Sequence, residues 1–121
     1  MAKILVIDDS RMMRLYLGRC LTQAGHDVEE WLPGSAMEVT EHVEQSRPDL
    51  ILTDYQMPGC NGATVARMAG RSEPKVPVVI LTAFKDEDMV QNLRKLGVEQ
   101  VLTKPIAAEA LVGAVTEALG G

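Results

Sequence analysis

Four short apolar runs, Ile4 to Ile7, Leu50 to Leu52, Val78 to Leu81, and Val98 with Val101 and Leu102, recur between segments of helical periodicity. This recurrence constrains the chain more than any other feature. Unbroken β-branched and leucine runs of that length suit strands of a parallel sheet buried on both faces. A fifth candidate, Asp27 to Trp31, is more polar, and its charges suit a strand at the sheet edge.

Between the runs the apolar period becomes helical. Residues 11 to 24 place Met13, Leu17, Cys20, Leu21 and Ala24 near one face, with Ser10 as the N-cap and Gly25 as the stop. Ser35 and Glu38 have capping-box spacing for a helix that must end before Pro48. Residues 62 to 72 are a weaker candidate, beginning after the loop Gly59 to Gly62. Asp86, Glu87 and Asp88 put acid into the first turn of a helix that reaches Leu96 and stops at Gly97. A last helix follows Pro105 and is expected to bury Leu111, Val112, Val115 and Leu119. Five alternating β-α pairs imply right-handed crossovers and a parallel sheet covered by helices on both faces. In such sheets ligands bind at the carboxyl ends of the strands.

At 121 residues the chain has room for one sizeable core, so residues 1–121 are expected to form a single domain without a separate output domain. Hydrophobic residues make up 46% and charged residues 24%, the balance of an ordinary globular protein. A net charge of −5 without a dense Lys/Arg stripe argues against direct nucleic-acid binding. The apolar runs are far shorter than the roughly 20 residues that cross a bilayer, and the first residues do not read as a signal peptide. No membrane partner and a cytoplasmic location are the expectations. Cys20 and Cys60 lack metal or redox spacing and read as free thiols, and His26 and His42 as surface helix or loop residues. The methionines at 12, 13, 37, 57, 68 and 89 read as core filler.

The residues at or just after the strand ends are Asp8 and Asp9, Asp54, Thr82 and Lys104. They are distant in sequence, yet this topology can bring them to one rim. Three carboxylates in one crevice repel, and a proton or a cation must compensate them. Mg²⁺ suits such a set, since it binds through one or two carboxylates together with phosphate oxygens. Phosphoryl transfer is catalysed mostly by positioning and charge neutralisation, an aspartate can itself be the nucleophile, and Lys104 and Thr82 can meet phosphoryl oxygens.

Asp8-Asp9-Ser10, Asp54-Tyr55-Gln56-Met57-Pro58-Gly59, Leu81-Thr82-Ala83 and Lys104-Pro105 resemble, in order and spacing, the four signature segments of bacterial response-regulator receiver domains of the stand-alone chemotaxis type. The resemblance covers essentially the whole chain. It implies an α/β, doubly wound five-stranded parallel sheet, flavodoxin-like (βα)5, with strand order 2-1-3-4-5. Asp54 then corresponds to the phosphoacceptor and Asp9 to the direct Mg²⁺ ligand. Asp8 corresponds to the acid that acts through metal-bound water, and the backbone carbonyl of Gln56 to a further ligand. Thr82 and Lys104 correspond to the switch hydroxyl and the ammonium that engage the phosphoryl group. Gln56 and Phe84 stand at the positions that flank the water path and tune phosphoryl lifetime. Val101 stands where the family usually carries a switch aromatic, and Cys60 and Asn61 lie in a variable loop and are assigned no role.

The implied partners are a histidine kinase or histidine phosphotransfer protein as donor and an unknown downstream protein, met by a surface around the fourth helix, fifth strand and fifth helix. The expected role is that of a phosphoacceptor, not an enzyme turning over external substrates. An aspartate-nucleophile phosphatase would want an Asp-x-Asp pair after the first strand and a substrate cap. A flavin carrier of similar topology would want a phosphate-cradling loop where Asp8 and Asp9 stand. A degenerate receiver acting only as a binding module fits poorly with the intact acidic cluster.

Overall fold

A computed structural model describes residues 2–120. Five strands alternate with five helices: β1 (Lys3–Ile7), α1 (Arg11–Gln23), β2 (Asp27–Trp31), α2 (Met37–Ser46), β3 (Leu50–Asp54), α3 (Gly62–Ala69), β4 (Val78–Thr82), α4 (Glu87–Lys95), β5 (Val98–Thr103) and α5 (Ala108–Ala118). All pairings are parallel and the order is β2-β1-β3-β4-β5, which puts polar β2 at an edge as its composition predicts.

The period of two along each strand divides the core between the faces. Ile4 and Val6 point, with Leu50, Leu52, Val79 and Leu81, toward Leu17, Cys20 and Leu21 of α1 and Leu111 and Val115 of α5. Leu5, Ile7, Ile51, Val78 and Ile80 point the other way, toward Val39 and Val43 of α2, Val65, Ala66 and Ala69 of α3, and Leu93 of α4. The central strands are buried along their whole length, which explains why their sequences show no polar alternation.

The helix boundaries follow local chemistry. The Ser10 hydroxyl accepts from Met13 N–H, and the Asp86 carboxylate accepts from Met89 N–H. Gly25 and Gly97 end α1 and α4 in the left-handed region, at φ +95° and +94°. The box expected at Ser35 forms only in half. The Glu38 carboxylate accepts from Ser35 N–H, while Ala36 is the N-cap residue and offers no side-chain bond. The third helix stops at Ala69 rather than 72, with Gly70 as its C-cap residue and the Ser72 hydroxyl donating to the Ala69 carbonyl.

Several burial expectations are corrected. Ala24 is exposed, since it caps α1 after the apolar face has rotated away, and Val112 and Leu119 are only half-buried while Ala114 is buried. Met12 and Met37 are 81% and 85% exposed, so they are not core filler, although Met57 is buried and Met13, Met68 and Met89 are partly so. His42 is more than a solvated helix residue. Its ring stacks on Trp31 with centroids 3.8 Å apart, and Nε2 lies 2.8 Å from Glu29 Oε2. Glu29 in turn accepts from the Ser46 hydroxyl, and the bonds from Ser46 and His42 outweigh the upward pull of burial and hold its carboxyl below the usual range. His26 is half-buried, its Nδ1 accepting from Ala2 N–H.

Candidate functional site

Every one of the strand-end residues singled out from the sequence lies on the same rim. Asp8 and Asp9 follow β1, Asp54 ends β3, Thr82 ends β4 and Lys104 follows β5. Carboxylate oxygens of Asp8, Asp9 and Asp54 all lie within 4.8 Å of one another. Asp8 and Asp54 are buried, whereas Asp9 is exposed at the mouth. The Lys104 ammonium stands 3.0 Å from Asp54 Oδ1 and 3.3 Å from Asp8 Oδ2. One cation against three clustered acids leaves the crevice acidic.

The electrostatics follow from this crowding. Burial raises the Asp54 carboxyl above its ordinary value; the Lys104 bond opposes that, and the charges of Asp8 and Asp9 add to it. Burial pulls Lys104 down, but its bonds and charge pairing with Asp54 and Asp8 prevail and hold it above the usual lysine range. An all-oxygen donor set with surplus negative charge is the chemistry that a hard divalent cation satisfies.

Asp8 is fixed from several sides. Its Oδ1 accepts from Ser10 N–H at 2.8 Å, and its carbonyl accepts from Arg14 Nη1 at 2.6 Å. Arg14 Nε is also paired with Glu30 at 3.4 Å, so the β1–α1 turn is held against β2. The Asp54 backbone is placed by the β3–β4 ladder and by Tyr55 N–H donating to the Leu81 carbonyl at 2.8 Å. Gln56 is exposed in the following loop.

Thr82 is buried, and its hydroxyl donates to the Phe84 carbonyl at 2.9 Å and accepts from Phe84 N–H at 3.2 Å. The hydroxyl is therefore committed to its own loop. The Phe84 ring is 72% exposed and does not pack on that loop. Val101 is buried, and its carbonyl accepts from Lys85 Nζ at 2.9 Å, so a lysine of the β4–α4 loop grips β5 beside the position without an aromatic ring.

Three contributors were not singled out from the sequence. Arg14 buttresses Asp8, and an Arg on the first turns of a helix carried no motif that would have marked it. Asn61 is the N-cap of α3, its side chain accepting from Thr64 N–H at 2.9 Å, and the capping preference of Asn before Gly62 could have found it. Tyr16 donates its hydroxyl to the Ile106 carbonyl at 2.8 Å, joining residues ninety positions apart with no local signal.

Comparison with known proteins gives a consistent picture. The family model described as the response regulator receiver domain matches residues 4–116. The transcriptional regulatory protein PdtaR of Mycobacterium tuberculosis is 30% identical over 93% of this chain and 54% of its own, so the chain spans about half the length of that relative. The sporulation initiation phosphotransferase F of Bacillus subtilis is 27% identical over 97% of this chain and 93% of its own. The chemotaxis protein CheY of Thermotoga maritima is 25% identical, covering 95% of both chains. Among solved structures, the signal receiver domain of NarL from Mycobacterium tuberculosis superposes with a TM-score of 0.86 at 28% identity, over 99% of this chain and 97% of that one. Among the described residues no helix is long and apolar enough to cross a membrane.

Proposed function

The chain belongs to the response regulator receiver domain family of two-component signalling, and from that membership we propose that Asp54 accepts a phosphoryl group from a phosphohistidine of a histidine kinase or histidine phosphotransfer protein. The observation that carries this reading is the Asp8, Asp9 and Asp54 cluster within 4.8 Å, with Lys104 3.0 Å from the Asp54 carboxylate. An oxygen of Asp54 attacks phosphorus, the phosphorus–nitrogen bond breaks, and its electron pair leaves on the donor imidazole. Asp9, Asp54 and the Gln56 carbonyl would hold Mg²⁺, with Asp8 reaching it through water, and the ion would neutralise charge on the phosphoryl oxygens. Lys104 orients and neutralises a further oxygen.

The donor must bring its histidine to a crevice on the side of the sheet where large apolar side chains stand exposed. Met12, Leu15 and Tyr16 on the first turns of α1, Leu32 after β2, Met37 at the start of α2 and Phe84 after β4 are the large hydrophobics most exposed to solvent among the described residues, and all follow strand carboxyl ends. Those side chains offer apolar surface to the flank of a donor protein. Incubation with acetyl phosphate and Mg²⁺ should add one base-labile phosphoryl group by intact mass. An unlabelled chain, or labelling indifferent to chelation of Mg²⁺, would refute the reading.

Signal output follows from the engagement of Thr82. To donate to a phosphoryl oxygen, its hydroxyl must release the bond it donates to the Phe84 carbonyl, and the loop it leaves is tied to β5 through Lys85 and Val101. The response should therefore centre on residues 82 to 90 and spread to α4, β5 and α5, where an unknown downstream protein would read it. Thr82→Ala is expected to accept the phosphoryl group yet show less than half of the parent's amide shift changes with beryllofluoride at residues 83–90. Equal changes in both proteins would remove Thr82 from the switch.

Gln56 and Phe84 are the proposed tuners of phosphoryl lifetime, since hydrolysis needs a water in line with the aspartyl leaving group. A large apolar ring two residues after Thr82 would hinder that approach. Phe84→Ala should shorten the phosphorylated state by up to about tenfold, equivalent to ~1.4 kcal/mol of barrier. Decay at fixed Mg²⁺ after donor removal measures it, and an unchanged half-life would clear Phe84 of the role.

A further inference from the structure

Lys104 can act on Asp54 only if the turn that carries it is held in place, and that turn has few local supports. It follows β5, an edge strand, and runs through exposed Pro105 and Ala107. Ala107, the N-cap residue of α5, has no side chain that can cap the helix. Lys104 N–H donates to the Thr82 carbonyl at 2.8 Å, which fixes the start of the turn. Two residues later the Ile106 carbonyl accepts the Tyr16 hydroxyl at 2.8 Å, and Ile106 packs against the core cluster beneath α1 and α5.

We propose that Tyr16 is a positioning residue for Lys104: its bond to Ile106 ties the β5–α5 turn to α1 and holds the ammonium between Asp54 and Asp8. This inference rests on the function assigned to Lys104 above. Tyr16 also sits in the exposed apolar stripe of α1 beside Met12 and Leu15, so a protein seated on that stripe would bear directly on the tie. The hydroxyl is the essential part, because the ring already has its place on the helix surface.

The test is a double-mutant cycle of Tyr16→Phe and Lys104→Ala, read by two affinities that respond to Lys104 with opposite sign. A well-placed ammonium competes with a cation at the carboxylates and favours an anionic phosphoryl mimic. Lys104→Ala should therefore bind Mg²⁺ as tightly as the parent or more so, and bind beryllofluoride at saturating Mg²⁺ more weakly. Tyr16→Phe should follow it part of the way, with Mg²⁺ binding about twofold tighter and beryllofluoride about fivefold weaker, the range of one hydrogen bond. In the Lys104→Ala background, Tyr16→Phe should change neither affinity.

General loosening of the fold would weaken both ligands together, and that result overturns the proposal. So does an equal effect of Tyr16→Phe with and without Lys104, or no effect where Lys104→Ala has one. Should Lys104→Ala itself leave beryllofluoride affinity unchanged, the role given to Lys104 fails and the positioning role falls with it.

Discussion

Asp54→Asn takes up no phosphoryl group under conditions that label the parent to one per chain, and in the absence of metal it melts at a higher temperature than the parent. The first half follows from losing the nucleophile: an amide keeps the shape of the carboxylate but not its attacking oxygen. The second half follows from the cluster. Burial, and then the charges of Asp8 and Asp9, hold the folded carboxyl above its ordinary value even against Lys104. Between that ordinary value and the raised one, the folded state binds more protons than the unfolded chain, so stability falls as pH rises through the window. Above that window the penalty is present, and a neutral side chain removes it.

Lys104 works in the opposite sense. Its raised value means that its stabilisation is present at neutral pH and is lost only as pH climbs through the alkaline range. Mg²⁺ should raise the melting temperature of the parent more than that of Asp54→Asn, since only the parent offers the full carboxylate set. Thermal scans with chelator and with Mg²⁺, beside intact-mass labelling, measure all three effects. A variant that labels as fully as the parent, or melts lower at neutral pH in chelator, contradicts the account.

Much of the fold was legible because the sheet is buried on both faces, which left Ile4 to Ile7 and Val78 to Leu81 as unbroken apolar runs, and because β2 stands at an edge where its acids reach solvent. The rim residues were legible for a related reason: parallel strands end on one side, so residues distant in sequence were bound to converge. What escaped was interaction between elements. Nothing in the spacing of Trp31 and His42 reveals a ring stack between an edge strand and a helix, and Met12 and Met37 read as core only until their helices are seen to begin on the open rim. Tyr16 shows the same limit, since its partner is a backbone carbonyl in a turn that no apolar pattern marks. Asn61 was readable by capping chemistry, since its side chain accepts from Thr64 N–H at the start of α3.

The other large effect is expected at a residue that carries no chemistry. Gly62 opens α3 directly behind the end of β3, and its N–H donates to the Tyr55 carbonyl at 2.7 Å. A Cβ there would lie 2.9 Å from the Asp54 carbonyl oxygen and 2.9 Å from Tyr55 Cα, both backbone atoms that cannot swing aside. Alanine would gain about 0.5–1 kcal/mol from helix propensity, whereas forcing backbone apart in a packed site costs about 1–3 kcal/mol or more. The clash is with the main chain of the Asp54–Tyr55 peptide, so the cost should prevail, and Gly62→Ala should lose about 2 kcal/mol of stability. Because the strand end must shift to admit the methyl group, Asp54 should also be phosphorylated more slowly than in the parent. Gly113→Ala in α5 is the matched control, for its Cβ meets nothing within 4 Å. There only the propensity gain remains, so stability should rise by about 0.5–1 kcal/mol with labelling unchanged. Denaturant melts of the two variants should move in opposite directions, and a Gly62→Ala as stable as the parent would mean that α3 can slide away from β3 without cost.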